Sequence, residues 1–185
     1  GKHGRIVPQT NLDSFDEVKD RIVGVHGQIL HQGVNLLNKL RNTQNRGSLD
    51  FALRAADKFN AQYVVFHPEY FERDQFKDCS FDNLFSLMQE YNDPRLHLEV
   101  VPVFGYDKRH GLPIWHSDSW KKLSEQTGKR ILVDTGHAAI TARALKLPTI
   151  DYVSSLIKEL NSKFIHLADN DGGYDGLEDD HPSIG

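Results

Sequence analysis

Five short apolar segments of this chain each end on a residue of a type that binds metal ions. Between successive segments lies enough chain for a helix, which is typical of parallel β/α units. In a barrel of such units the carboxyl ends of the strands converge on one mouth, so these end residues are predicted to be neighbours in space. The segments cover residues 22–26, 63–67, 96–99, 131–134 and 163–166, and they end on His26, His67, Glu99, Asp134 and His166.

The intervening chain has the apolar spacing of helices that cover a sheet. Ser48 is expected to cap a helix that runs from Leu49 to Phe59, and the same period recurs over residues 81–88 and 152–160. A further helix is expected over residues 117–128, where Gly128 would stop it. The strands are nearly continuous apolar runs, as expected when helices cover a parallel sheet.

The number of β/α units is smaller than a closed barrel requires. An eight-stranded barrel has about 250 residues, whereas this chain has 185. With a sixth strand near residues 5–7, the pattern predicts one α/β barrel domain over residues 1–185 that has five to six units and lacks terminal strands. An open barrel exposes strand edges, so association with a second copy through that edge is expected.

Composition narrows the class of protein. A charged fraction of 26% and a hydrophobic fraction of 38% are ordinary for a globular domain. No apolar run approaches the roughly 20 residues of a membrane-spanning helix. Cys79 is the single cysteine, which fits a reducing cytoplasm. The net charge of −4 gives no general attraction to nucleic acid.

Six motifs in order along the chain carry a family resemblance. They are Val25-His26, Phe66-His67-Pro68, Leu98-Glu99, Asp134-Thr135-Gly136-His137, His166-Leu167-Ala168-Asp169 and the final Asp179-Asp180-His181-Pro182-Ser183-Ile184-Gly185. With these motifs the chain resembles the xylose-isomerase-like TIM barrels, and within them the endonuclease IV (AP endonuclease family 2) type.

The resemblance implies a cluster of up to three zinc ions, with manganese as an alternative metal. Glu99 would bridge the ion of His26 and His67 to a second ion, and a third ion would lie beside His137. The implied ligands are His26, His67, Glu99, Asp134, His137, His166, Asp179 and His181. Such a cluster lowers the pKa of a bound water and stabilises charge on a phosphodiester, with Glu99, Asp134 and His166 as the catalytic residues.

The surroundings of these motifs depart from the DNA-binding members of that family. Gln28-Ile29-Leu30 stands where those members resemble Ser-Tyr-Leu, Glu69 replaces a glycine, and Val100-Val101 replaces Asn-Thr. These departures argue against DNA and leave another phosphodiester or a sugar as substrate.

Two alternatives to a hydrolase remain open. The first is a sugar isomerase or epimerase, in which Glu99, Asp134 and His166 would hold a single divalent metal. The second is a barrel that has lost catalysis and serves as a binding module, because fold alone does not decide function.

The other histidines are expected to have no part in the site. His97 lies two residues before Glu99 on the same face of its strand, where a packed or hydrogen-bonded ring is expected. His3, His31, His110 and His116 are expected in exposed loops or at helix ends.

Overall fold

The structure, a computed structural model, describes residues 11–104 and 110–168. Within these residues, five strands form one parallel sheet in the order β1-β2-β4-β6-β7, and β3 and β5 form a small antiparallel sheet. The large sheet is curled into a half barrel. The strands, numbered along the chain, are β1 (Gly24–His26), β2 (Tyr63–Phe66), β3 (Phe71–Glu72), β4 (Leu96–Glu99), β5 (His110–Gly111), β6 (Arg130–Asp134) and β7 (Ile165–His166).

All five predicted strands are present, so the expected barrel of parallel β/α units is confirmed for this part of the chain. The sixth strand expected near residues 5–7 lies outside the described residues. In the described chain β1 and β7 form the two margins of the large sheet. Ile165 and Leu167 are exposed there, whereas Val65 and Leu132 in the middle strands are buried. Pairing of an edge with a second copy stays a prediction.

Helices follow the strands and cover the outer face of the sheet. They are α1 (Asn42–Phe59), α2 (Phe81–Glu90), α3 (Ser117–Thr127), α4 (Thr135–Ala144) and α5 (Thr149–Leu160). Short 3-10 helices cover Leu12–Arg21, Leu30–Gln32, Lys39–Arg41 and Arg73–Asp78. Helix α3 ends where predicted, because Gly128 adopts the left-handed conformation that terminates helices (φ 67°). No helix in the described residues is long and apolar enough to cross a membrane.

The predicted start of α1 was wrong. The helix begins at Asn42 rather than after Ser48, because a 3-10 turn over Lys39–Arg41 leads directly into it. The Asn38 side chain already caps that turn by accepting a hydrogen bond from the Leu40 N–H. Ser48 is instead buried inside α1, where its hydroxyl oxygen accepts a hydrogen bond from the Gln28 N–H at 3.2 Å. This bond ties the loop after β1 to α1.

The Gln28 loop also depends on a close approach between Gly27 and β2. A Cβ at Gly27 would lie 2.1 Å from the Phe66 ring, whose side chain is fully buried. We expect Gly27→Ala to lower the free energy of unfolding by about 1–3 kcal/mol, the range typical of overpacking. Gly47 is the matched control because a Cβ there meets nothing within 4 Å. Inside α1, Gly47→Ala should raise stability by about 0.5–1 kcal/mol. Urea unfolding measures the stability of both variants. Equal changes in the free energy of unfolding would show that the close approach of Gly27 to Phe66 does not contribute to stability.

Candidate metal centre

Adjacent parallel strands bring the predicted end residues together. His26 ends β1, Glu99 ends β4, Asp134 ends β6 and His166 ends β7, while His67 directly follows β2. Because all these strands point the same way, the five side chains emerge at one rim of the sheet. Residues that are far apart in the sequence thus become neighbours there.

Glu99 lies at the centre of this group, and each of its carboxylate oxygens faces a different pair of imidazoles. Its Oε2 atom is 3.1 Å from Nε2 of His26 and 3.4 Å from Nε2 of His67. Its Oε1 atom is 3.0 Å from Nδ1 of His166 and 3.6 Å from Nδ1 of His137. The Glu99 side chain is 1% exposed, so these rings replace water around the carboxylate.

Asp134 completes the Oε1 side of Glu99. It is the N-cap of α4, and its Oδ1 atom accepts a hydrogen bond from the His137 N–H at 2.8 Å. Its other oxygen, Oδ2, lies 3.9 Å from Nδ1 of His166. The helix start therefore fixes Asp134 and His137 beside each other. Nδ1 of His137 also lies 2.9 Å from the Val100 carbonyl oxygen, which fixes the ring plane.

The orientation of His26 favours a cation between its ring and Glu99. Nδ1 of His26 lies 2.7 Å from the Gly27 carbonyl oxygen, to which only an N–H group can donate. With its proton on Nδ1, neutral His26 presents an Nε2 lone pair to Oε2 of Glu99 at 3.1 Å. Two acceptors at that distance require a proton or a metal ion between them. A backbone-fixed ring nitrogen is also typical of histidines that bind metals.

The electrostatics of the cluster agree with this requirement. Burial opposes ionisation of Glu99, but its close contacts with the rings of His166, His26 and His67 outweigh burial and hold the pKa of Glu99 well below the usual range. Burial likewise opposes the charged form of His67, yet hydrogen bonds to Glu69 and Glu99 raise its pKa to about 10. The hydrogen bond to Glu99 raises the pKa of His166. The site therefore stabilises positive charge around one carboxylate.

Two sets of side chains in the described residues have the spacing of metal ligands. One contains His26, His67 and Glu99, and the other contains Glu99, Asp134 and His137; in each set the ligand atoms lie within 4.8 Å of one another. Glu99 belongs to both sets. Imidazole and carboxylate are the ligands that zinc prefers besides thiolate, and manganese accepts them too. The donor set thus fits one or two divalent ions.

Solved structures resemble this fold at low sequence identity. A D-tagatose 3-epimerase-like protein aligns with a TM-score of 0.62 at 19% identity, over 92% of this chain and 65% of that protein. Endonuclease IV from Thermus thermophilus aligns with a TM-score of 0.61 at 20% identity, over 92% of this chain and 63% of the enzyme. The chain has the β/α barrel fold that these two proteins share. It spans slightly less than two thirds of the length of these two proteins.

A third solved structure shares this fold. It is the TTHB071 protein from Thermus thermophilus, soaked with ZnCl2, which aligns with a TM-score of 0.53 at 16% identity over 88% of this chain and 65% of that protein. No protein-family model matches the chain, and neither does any curated protein.

Among the expected metal ligands, two have no described position and one lies in a different group of side chains. Asp179 and His181 lie outside the described residues, so the expected third ion stays a prediction. His137 was expected beside that third ion, whereas its ring contacts Glu99 and Asp134. The ligand roles of all these residues stay predictions.

The remaining histidines are arranged largely as expected. His97 is buried, its Nδ1 donates to the Arg95 carbonyl oxygen at 2.7 Å, and its ring packs against Tyr63 and Phe164. His31 and His116 are exposed, and His3 lies outside the described residues. His110 differs from the expectation because it is half-buried in β5, where Glu72 of β3 pairs with it.

Two further residues contact the cluster, although the sequence analysis assigned them no part in the site. Glu69 is buried with its Oε1 atom 3.4 Å from Nδ1 of His67. The Tyr63 hydroxyl lies 3.4 Å from Nε2 of His166. A carboxylate two residues after a candidate histidine ligand was the available signal for Glu69. Tyrosine is common in strands, so the sequence around Tyr63 does not indicate that its hydroxyl contacts the cluster.

Proposed function

We propose that this chain is a metal-dependent hydrolase that cleaves a phosphodiester at a dinuclear centre bridged by Glu99. The observation that carries the proposal is the different surroundings of the two Glu99 oxygens. Oε2 faces His26 and His67, and Oε1 faces His137 and His166. A carboxylate that presents each oxygen to a separate ligand set is suited to bridge two ions.

Two bound divalent ions would supply Lewis-acid chemistry, which generates a nucleophile from water at neutral pH and stabilises charge on phosphoryl oxygens. The residues of the chain have distinct parts in this arrangement. His26 and His67 would hold the ion on the Oε2 side, and Asp134 with His166 the ion on the Oε1 side, because Nδ1 of His137 donates its proton to the Val100 carbonyl oxygen. Burial of Glu99 and Asp134 keeps bulk water from these ligands and strengthens their interactions with charge.

One set of residues also favours a second candidate function, a sugar isomerase or epimerase. A single ion could be held on the Oε1 side without His26 or His67. Its ligands would be Oε1 of Glu99 together with Asp134 and His166. One ion suffices to polarise a hydroxy-ketone while carboxylates move protons. The solved structures that share the fold include both an epimerase-like protein and an endonuclease IV, so the fold does not separate the two candidates.

Metal stoichiometry and two activity measurements test the proposal. The protein is loaded with zinc, freed of excess metal and analysed by inductively coupled plasma mass spectrometry. We expect at least two zinc ions per chain. The loaded protein should hydrolyse bis(4-nitrophenyl) phosphate. A single ion together with proton exchange at C3 of a ketohexose in D2O would favour the epimerase instead. Absence of bound metal would favour the binding module.

The His67→Ala variant separates the two candidate enzymes. His67 lies only on the Oε2 side of Glu99, at 3.4 Å. The hydrolase should therefore lose one ion and its activity on the phosphodiester. A one-metal epimerase would keep its ion and its proton exchange, and that result would contradict the dinuclear proposal.

A further inference from the structure

Glu69 has a backbone conformation that its residue type disfavours. It follows His67-Pro68 in the loop between β2 and β3 and adopts φ 71°, in the left-handed region. Among the described residues, Asn60, Lys146 and Asn161 also have positive φ, but each lies within two residues of a helix end, where this conformation is common. Glu69 ends no helix. Such strain persists only where the surroundings hold it, and it concentrates at functional sites.

The strained backbone carries a carboxylate that makes two specific contacts. Oε1 of Glu69 accepts a hydrogen bond from the Leu30 N–H at 3.0 Å and lies 3.4 Å from Nδ1 of His67. The side chain is 2% exposed, so it has little contact with water and depends on such partners. Leu30 is the first residue of the 3-10 helix that ends the loop after His26. The Glu69 carboxylate thereby links the two segments that carry the candidate ligands on the Oε2 side of Glu99.

His67 lies between two carboxylates. Its Nδ1 faces Glu69 and its Nε2 faces Oε2 of Glu99, both at 3.4 Å. An N–H group on Nδ1 that donates to Glu69 leaves the lone pair on Nε2, directed at the position where a cation would contact Glu99. A carboxylate behind a histidine ligand fixes its tautomer and ring plane and increases its basicity.

We propose that Glu69 is a positioning residue for the metal centre. It holds His67 with Nε2 towards Glu99 and, through Leu30, fixes the loop after His26. This role rests on the proposed metal centre, and it predicts that Glu69 affects the ion on the Oε2 side and leaves the other ion unchanged. Glycine at this position would satisfy the backbone without strain but would not orient His67.

The test measures zinc affinity and thermal unfolding of the full chain in three variants. Two of them, Glu69→Gly and Glu69→Gln, change the proposed positioning residue, and Glu72→Gln is the control. Glu69→Gly is expected to weaken binding of one ion by about 10–100-fold, the usual effect of losing an outer partner of a ligand. Its unfolding midpoint in the presence of EDTA should change little, because relief of the left-handed φ offsets the lost bond to Leu30. Glu69→Gln retains an acceptor oxygen and should lose less affinity. Competition with a chromophoric chelator gives the affinities.

Glu72 provides the matched control, three residues further along the chain. It is also a buried carboxylate, but it pairs with Arg41 at 2.6 Å and accepts hydrogen bonds from Asn35 and Asn38. Glu72→Gln should lower the unfolding midpoint and leave zinc affinity unchanged. Wild-type affinity in Glu69→Gly would overturn the inference, as would equal affinity losses in Glu69→Gly and Glu72→Gln. A wild-type chain that binds no zinc would overturn the metal centre itself and this role with it.

Discussion

Replacement of Glu99 by alanine is expected to abolish binding of both metal ions. Each Glu99 oxygen faces two imidazoles, so its loss removes the shared ligand from both sets at once. We expect zinc affinity to fall more than about a hundredfold at both positions, because loss of an outer partner alone typically reduces it 10–100-fold. Without Glu99 the cluster also lacks the central negative charge that balances a cation. Elemental analysis after dialysis against a fixed zinc concentration measures the loss.

His26→Ala is the control for the bridging role. Of the two Glu99 oxygens, His26 contacts only Oε2, and its side chain is 40% exposed, so its removal should leave the fold intact. One ion should be lost and the other retained. Loss of a single ion in Glu99→Ala, or of both ions in His26→Ala, would show that Glu99 does not bridge.

The fold was predictable from the sequence because its determinants are local. Apolar runs such as residues 63–66 and 131–134 specify buried parallel strands, and the helical period of residues 81–88 specifies α2. The start of α1 was not predictable in this way. The first turns of α1 are polar and continue from a 3-10 turn. Serine is a residue type that commonly caps helices, but Ser48 is buried inside α1 and accepts a hydrogen bond from the Gln28 N–H.

The sequence indicated which residues would meet in the candidate centre, but not which of their atoms face one another. Parallel topology brings strand ends together whatever their side chains, which is why residues scattered from His26 to His166 were expected to meet. The sequence could not show which carboxylate oxygen each ring faces, because side-chain torsions set that. It also could not show that His137 contacts Glu99 at 3.6 Å, a consequence of the ring lying against the Val100 carbonyl.

Glu69 shows a different limit of sequence reasoning. Its importance is carried by a left-handed φ and a hydrogen bond to Leu30, which is 39 positions earlier in the chain. Neither has a signature in the residues around it. The sequence shows only that a carboxylate follows a candidate histidine ligand by two residues, at a position where the motif it resembles has glycine.

The Asp134→Asn and Asp134→Ala variants should separate the structural role of Asp134 from its role as a ligand. Asp134 caps α4 through Oδ1 and turns Oδ2 towards Nδ1 of His166, at 3.9 Å. Asparagine caps a helix nearly as well as aspartate, so Asp134→Asn should retain the free energy of unfolding. Alanine removes the cap and should lower that free energy by about 0.5–2 kcal/mol.

Both Asp134 variants should nevertheless lose the ion on the Oε1 side of Glu99, because neither carries the negative charge that balances it. Hydrolysis of bis(4-nitrophenyl) phosphate should then fall more than about a hundredfold, beyond the 10–100-fold expected for an outer partner. The ion held by His26 and His67 should remain. An Asp134→Asn protein that keeps full metal content and full activity would restrict Asp134 to the helix cap, and the second metal would then need another ligand beside Glu99.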